Sequence, residues 1–191
     1  MLTIEKYPAK VQHELTKLAD DLWVGEKSPA FYEWLDNEIH LLKAALLALG
    51  FEATACTSAI IDKPQINGPW ITVEAKEARR MLSGTKRPDK WWADKNDPER
   101  NALIDTIREH NLKAKSELVD LLTQFYQERP ESMFSVHLIV VRKDWLGEFW
   151  LECQGADTAS LPEKIATYPD WAKASQIEMR AFAEFLCSKV Q

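Results

Sequence analysis

The chain has 191 residues, with 24 Lys plus Arg against 30 Asp plus Glu and a formal net charge of -6. Its 46% hydrophobic and 28% charged residues are those of a globular protein and exclude an intrinsically disordered chain, while 6 Gly exclude a collagen-like one. No run approaches the roughly 18 apolar residues of a membrane-spanning helix, and the opening MLTIEKYPAK breaks any apolar core with charges, so the expectation is a soluble cytoplasmic protein without a signal peptide.

Taken in chain order, Val11, Leu15, Leu18 and Leu22 recur at helical spacing after Pro8, and Gly25 ends the pattern. Ser28 followed by Pro29 reads as an N-cap with proline in the first turn. Phe31, Trp34, Leu35, Ile39, Leu42, Leu46 and Leu49 then make one wide apolar stripe, read as core packing and closed by Gly50. Phe51 to Ile61 is rich in small and β-branched residues and reads as a strand. Asn67-Gly68 is a turn signal, and Pro69 to Val73 a short strand. Glu74 to Leu82 consists almost wholly of strong helix formers, so a change from strand to helix is expected near Val73.

Residues 84–98 hold Gly, two Pro and several charges and are expected to be a loop. Asp97-Pro98 starts a helix reaching about Gln127, whose polar middle REHNLKAKSE reads as a break or an exposed turn. Met133 to Val141 is the strongest strand candidate, continuous enough to be buried on both faces. Trp145 to Cys153 alternates and suits the second arm of a hairpin. The end is helical, with Tyr168-Pro-Asp170 preceding Trp171, Ile177, Phe182, Phe185 and Leu186. These elements indicate one α+β domain over 1–191, a helical pair at 8–50 followed by sheet and helices at 51–191, with a mixed or antiparallel sheet.

Cys56, Cys153 and Cys187 are odd in number and widely spaced, so neither a disulfide framework nor a zinc site is expected; they read as small buried hydrophobes in a reducing compartment. His13, His40, His110 and His137 have no metal-motif spacing, and the glycines stand singly rather than in a phosphate loop. Nucleotide-dependent and serine-hydrolase chemistry are therefore not expected.

Three leads carry chemistry. Asp62 closes one apparent strand, and Glu74 and Lys76 follow the next; on a strand the last two project from one face, where Asp62 and Glu74 hold Mg²⁺ and Lys76 stabilises phosphate charge. Glu38 on the preceding helix offers a third carboxylate. This pattern over roughly 30–141 loosely resembles the PD-(D/E)xK nuclease superfamily, which implies a helix-strand core and Mg²⁺-dependent cleavage of nucleic acid at Asp62, Glu74 and Lys76. Ile61 stands where that family has proline, and on a helix Glu74 and Lys76 would point about 200° apart.

The second lead is basic and aromatic. Residues 1–66 carry ten acids and six bases, whereas 67–100 carry six acids and eight bases. Within the basic stretch, Lys86, Arg87 and Lys90 adjoin Trp91 and Trp92, the combination that follows a phosphate backbone and stacks bases. Asp89 and Asp94 dilute the patch.

The third lead is recognition. An acidic domain with eight Trp and no catalytic signature suits a protein of inhibitor, immunity or adaptor type that binds another protein. Trp145, Phe149 and Trp150 on the last hairpin are candidates for its exposed surface. Non-catalytic binding of a protein partner, with no cofactor, is the leading expectation. The Mg²⁺-dependent nuclease and the non-catalytic nucleic-acid binder are the alternatives.

Overall fold

The computed structural model describes residues 3–23, 25, 27–57, 69–85, 89–129, 136–153 and 161–191, without the side chains at 3, 33, 55, 57, 89, 90, 142 and 161–169. A short 3-10 helix, Thr3–Lys6, precedes α1 (Ala9–Leu22), α2 (Pro29–Leu35) and α3 (Glu38–Ala48). Two strands follow, β1 (Phe51–Thr57) and β2 (Trp70–Ala75), then α4 (Lys76–Gly84), α5 (Asp89–Ala93) and α6 (Pro98–Glu128). The chain ends with β3 (Leu138–Arg142), β4 (Phe149–Cys153) and α7 (Leu161–Lys189). The strands form one antiparallel sheet in the order β1-β2-β4-β3. The fold is thus α+β, and of the two expected sheet types it is the antiparallel one.

The register explains the core. Ile71 lies opposite Leu151, Val73 opposite Phe149 and Leu138 opposite Cys153, so alternate residues of neighbouring strands place apolar side chains on one side. These six are buried and join one hydrophobic cluster with Leu15 of α1, Leu42 of α3, Leu118 of α6 and Phe182 of α7. α3 packs on α1, α7 and β1, while α6 packs on β2 and α4. No helix among the described residues is long and apolar enough to cross a membrane. All three cysteines are free, and burial pushes the Cys153 thiol up to about 12 and the Cys187 thiol to about 11. Both remain protonated at neutral pH and behave as hydrophobes.

Several sequence expectations are corrected. The apolar stripe from Phe31 to Leu49 is two helices rather than one. The Ser28 hydroxyl does cap α2, accepting from Phe31 N at 3.2 Å, but α2 stops at Leu35. The Asn37 side chain then starts α3 by accepting from Ile39 N at 3.1 Å and His40 N at 2.9 Å. Residues 84–98 are not all loop, because α5 lies within them. The polar middle of α6 is no break: the helix runs unbroken for 31 residues, with Asn111 buried at its centre.

β3 is an edge strand, not a strand enclosed on both faces, and Ile139, Val140 and Val141 are only half-buried. It starts at Leu138, with 133–135 outside the described residues, as are 58–61 at the end of the first predicted strand. α7 starts at Leu161, ahead of the Tyr168-Pro169 pair. The change from β2 to α4 falls between Ala75 and Lys76, two residues beyond Val73.

Candidate functional site

Glu74 sits one residue from the end of β2, opposite Glu52 on β1, and is fully buried. Neither carboxyl oxygen accepts a hydrogen bond; Arg79 Nη1 from α4 stands 3.6 Å from Oε1. Burial, reinforced by the charges of Glu148 and Glu52, raises its pKa from 4.5 to about 7 against the pull of Arg79 and Lys143. Lys76 opens α4 and is exposed, so the strand alternation that would put it beside Glu74 stops at Ala75. Asp62 lies outside the described residues. Among the described residues no three His, Cys, Asp or Glu side chains converge as a metal set. Within the described residues Glu74 thus stands against Glu52 and Arg79, with Lys76 off its strand face.

What the Glu74 geometry does dictate is a pH dependence. The folded state holds this proton more tightly than the unfolded chain, so the contribution to stability is full below about pH 4.5 and lost as pH rises to about 7. Glu74→Gln keeps the shape and removes the charge. The variant should unfold at higher denaturant than the wild type at pH 8.5, by about 2 kcal/mol, and match it at pH 5. A gain that is equal at both pH values would show that ionisation of Glu74 is not its source.

Glu178 on α7 is a second buried carboxyl missed from sequence. Arg129 Nη1, just past the end of α6, stands 3.3 Å from it and ties the two helices together.

The basic and aromatic lead is partly assembled. Lys86 and Arg87 lie outside the described residues, as does the side chain of Lys90, which falls in α5. Trp91 and Trp92 are half-buried, their rings edge to face with centroids 4.9 Å apart. The Trp92 carbonyl accepts from Arg100 Nε at 2.7 Å, which joins α5 to the first turn of α6. Arg100, Ile104 and Arg108 recur every fourth residue and so share one face of α6. The β3–β4 loop lays Trp145 on that face, with the Arg100 and Arg108 guanidinium carbons 5.7 and 5.9 Å from its ring centroid. Lys95, Arg100, Ile104, Arg108 and Trp145 line an open cleft of about 660 Å³ there.

Trp145 is 46% exposed, whereas Phe149 is fully buried, so of these two only Phe149 joins the core. Trp150 belongs elsewhere, stacked on Trp70 at 5.3 Å and donating from Nε1 to Thr72 Oγ1 at 3.1 Å.

A further exposed aromatic group is one the sequence reading assigned in part to the core. Leu22 and Trp34 belong to the two apolar helical patterns, yet they are 49% and 50% exposed, and Trp23 between them is 52% exposed. Phe31 links them: its ring lies 6.2 Å from Trp23 and 5.5 Å from Trp34, and Trp34 reaches His40 at 4.6 Å. The break after Leu35 separates α2 from α3 and leaves Trp34 outside the packed stripe. The available signal was a Trp directly after the last turn of α1. Compared with known proteins, the chain matches no family model, no curated protein and no solved structure.

Proposed function

We propose that this protein works by recognising another protein without catalysis of its own, in the manner of an inhibitor, immunity protein or adaptor. The observation that supports this reading is the pair of half-exposed rings Trp23 and Trp34, joined through the half-buried Phe31, with exposed Leu22 next to Trp23 in the chain. Half-exposed Trp side chains are costly to leave in water and are the residue type that dominates binding energy at protein interfaces. Asp20 and Asp21 directly precede Leu22, and ten acids against six bases in residues 1–66 make this end of the chain acidic. The matching partner surface is an apolar pocket edged by Lys or Arg, which the acidic rim draws in and orients.

The test is a purified complex. Crosslinked capture identifies the partner, which is then prepared separately and its Kd measured with wild type and with Trp23→Ala combined with Trp34→Ala. Both side chains are half in water, so the variant keeps its fold, checked by circular dichroism. About 100-fold weaker binding is expected from losing two anchors. An unchanged Kd would sink the proposal. So would a self-association seen by sedimentation that the double variant abolishes, since the face would then belong to a second copy of the chain.

A further inference from the structure

The cleft beneath Trp145 lies apart from the recognition face, and its chemistry is different. Three cations, Lys95, Arg100 and Arg108, line it against the single acid Asp105, a net charge of +2 in a chain whose total is -6. Asp105 is 75% exposed and pairs with Arg108 at 3.3 Å. Each guanidinium is anchored through Nε to a backbone carbonyl, Arg100 on Trp92 at 2.7 Å and Arg108 on Trp145 at 2.8 Å. Arg100 Nη1 also donates to Asn101 Oδ1 at 2.8 Å. The second terminal nitrogen of each has no partner among the described residues. Two like charges are therefore held against one indole, with Asp105 beside Arg108 as the acid that lines the cleft. Arginine forks anchored in this way lose little freedom on binding a phosphate.

We propose that this cleft binds single-stranded nucleic acid. Successive backbone phosphates lie along Lys95, Arg100 and Arg108, one to each cation, and an unpaired base stacks on the exposed part of Trp145. The aromatic content decides the class of ligand. Trp145 lines the cleft with the three cations and is 46% exposed, so a flat ring stands beside the charges, the pairing that splayed bases on a phosphate backbone use. Duplex interiors are disfavoured because bases stacked on both sides present no free face.

The experiment is fluorescence anisotropy with labelled 12-nucleotide single-stranded DNA and RNA, over a salt series, on the full chain. Binding should weaken with salt with a log–log slope of about -2, from three phosphates at ~0.7 each. Lys95→Glu and Trp145→Ala alter exposed side chains and should each weaken binding about 10-fold, with only Lys95→Glu flattening the slope. Loss in Trp145→Ala at an unchanged slope separates stacking from bulk charge. Three results would overturn the proposal: no binding by the wild type, equal binding by both variants, or displacement of the oligonucleotide by inorganic phosphate or a phosphoserine peptide at matching concentration. None of these bears on the Trp23 and Trp34 face.

Discussion

Asp36→Ala should lose about 3 kcal/mol of stability at pH 7, because one carboxylate holds three separate parts of the chain together. Its oxygens accept from Lys6 Nζ at 2.9 Å, from the Tyr7 hydroxyl at 2.6 Å and from Arg180 Nη1 at 3.0 Å. Arg180 also donates to the Asp36 backbone carbonyl at 2.6 Å and to the Tyr7 hydroxyl. The 3-10 turn, the α2–α3 break and the middle of α7 thus meet at a carboxylate whose side chain is only 6% exposed. Removing it leaves Arg180 without its main counter-charge. The loss stays near the lower end for a buried pair because Arg180 keeps Glu184 at 2.8 Å and Lys6 is half in water.

Burial works against the Asp36 charge, but the Tyr7 hydroxyl, Lys6 and Arg180 outweigh it and hold the carboxyl below its ordinary 3.8. The stabilisation is therefore full above about pH 3.8 and disappears as pH falls through the lower folded value. Denaturant titration of wild type, Asp36→Ala and Asp36→Asn checks both points. Asp36→Asn should fall between the other two at pH 7 and lose the steep acid limb. A loss below about 1 kcal/mol for Asp36→Ala would place the pair among ordinary surface ion pairs and refute the argument.

The second large effect is at Asn111. Its Oδ1 accepts from Ala75 N at 2.7 Å, and its Nδ2 donates to the Leu146 carbonyl at 3.0 Å. One amide in the middle of α6 therefore satisfies the β2–α4 junction and the β3–β4 loop together. The loop comes close enough for this through Gly147, whose φ of +85 favours glycine and where a Cβ would stand 3.3 Å from Asn111 Cβ. Asn111→Ala leaves a buried N–H and a nearby carbonyl unpaired, an expected loss of about 3 kcal/mol. Asn111→Asp keeps the acceptor but gives up the donor and buries a charge, so it should fare no better. Amide hydrogen exchange localises the effect, with Ala75 N–H expected to lose protection well before the centre of β4. Unchanged exchange at Ala75 would show that the helix dipoles or water replace the side chain.

Asn111 also shows where reading by composition fails. REHNLKAKSE is polar apart from Leu112 and Ala114, and polarity along a chain says only that water can be near. That segment stays helical because neighbours distant in sequence take its one buried amide and pack against Ala114 and Leu118. Glu74 has the same lesson in another form. Its place at a strand-to-helix change followed from Val73, Glu74 and the helix formers after them. Its complete burial, and through that burial its raised pKa, came from tertiary packing, with Glu148 in the β3–β4 loop and Glu52 across the sheet adding to the shift.

By itself the sequence determined what is local. Periodic Val11, Leu15 and Leu18 made α1, Ser28-Pro29 and Asp97-Pro98 started helices, and alternation from Phe149 to Cys153 made a hairpin arm; each depends on contacts within a few residues. The α+β order followed from these. Tertiary structure alone decided the rest: the strand order β1-β2-β4-β3, the split at Asp36 held by a partner 144 residues away, and which Trp face outward. A Trp has the same side chain in a core and on a surface, and only the elements packed beside it settle how much of it water reaches.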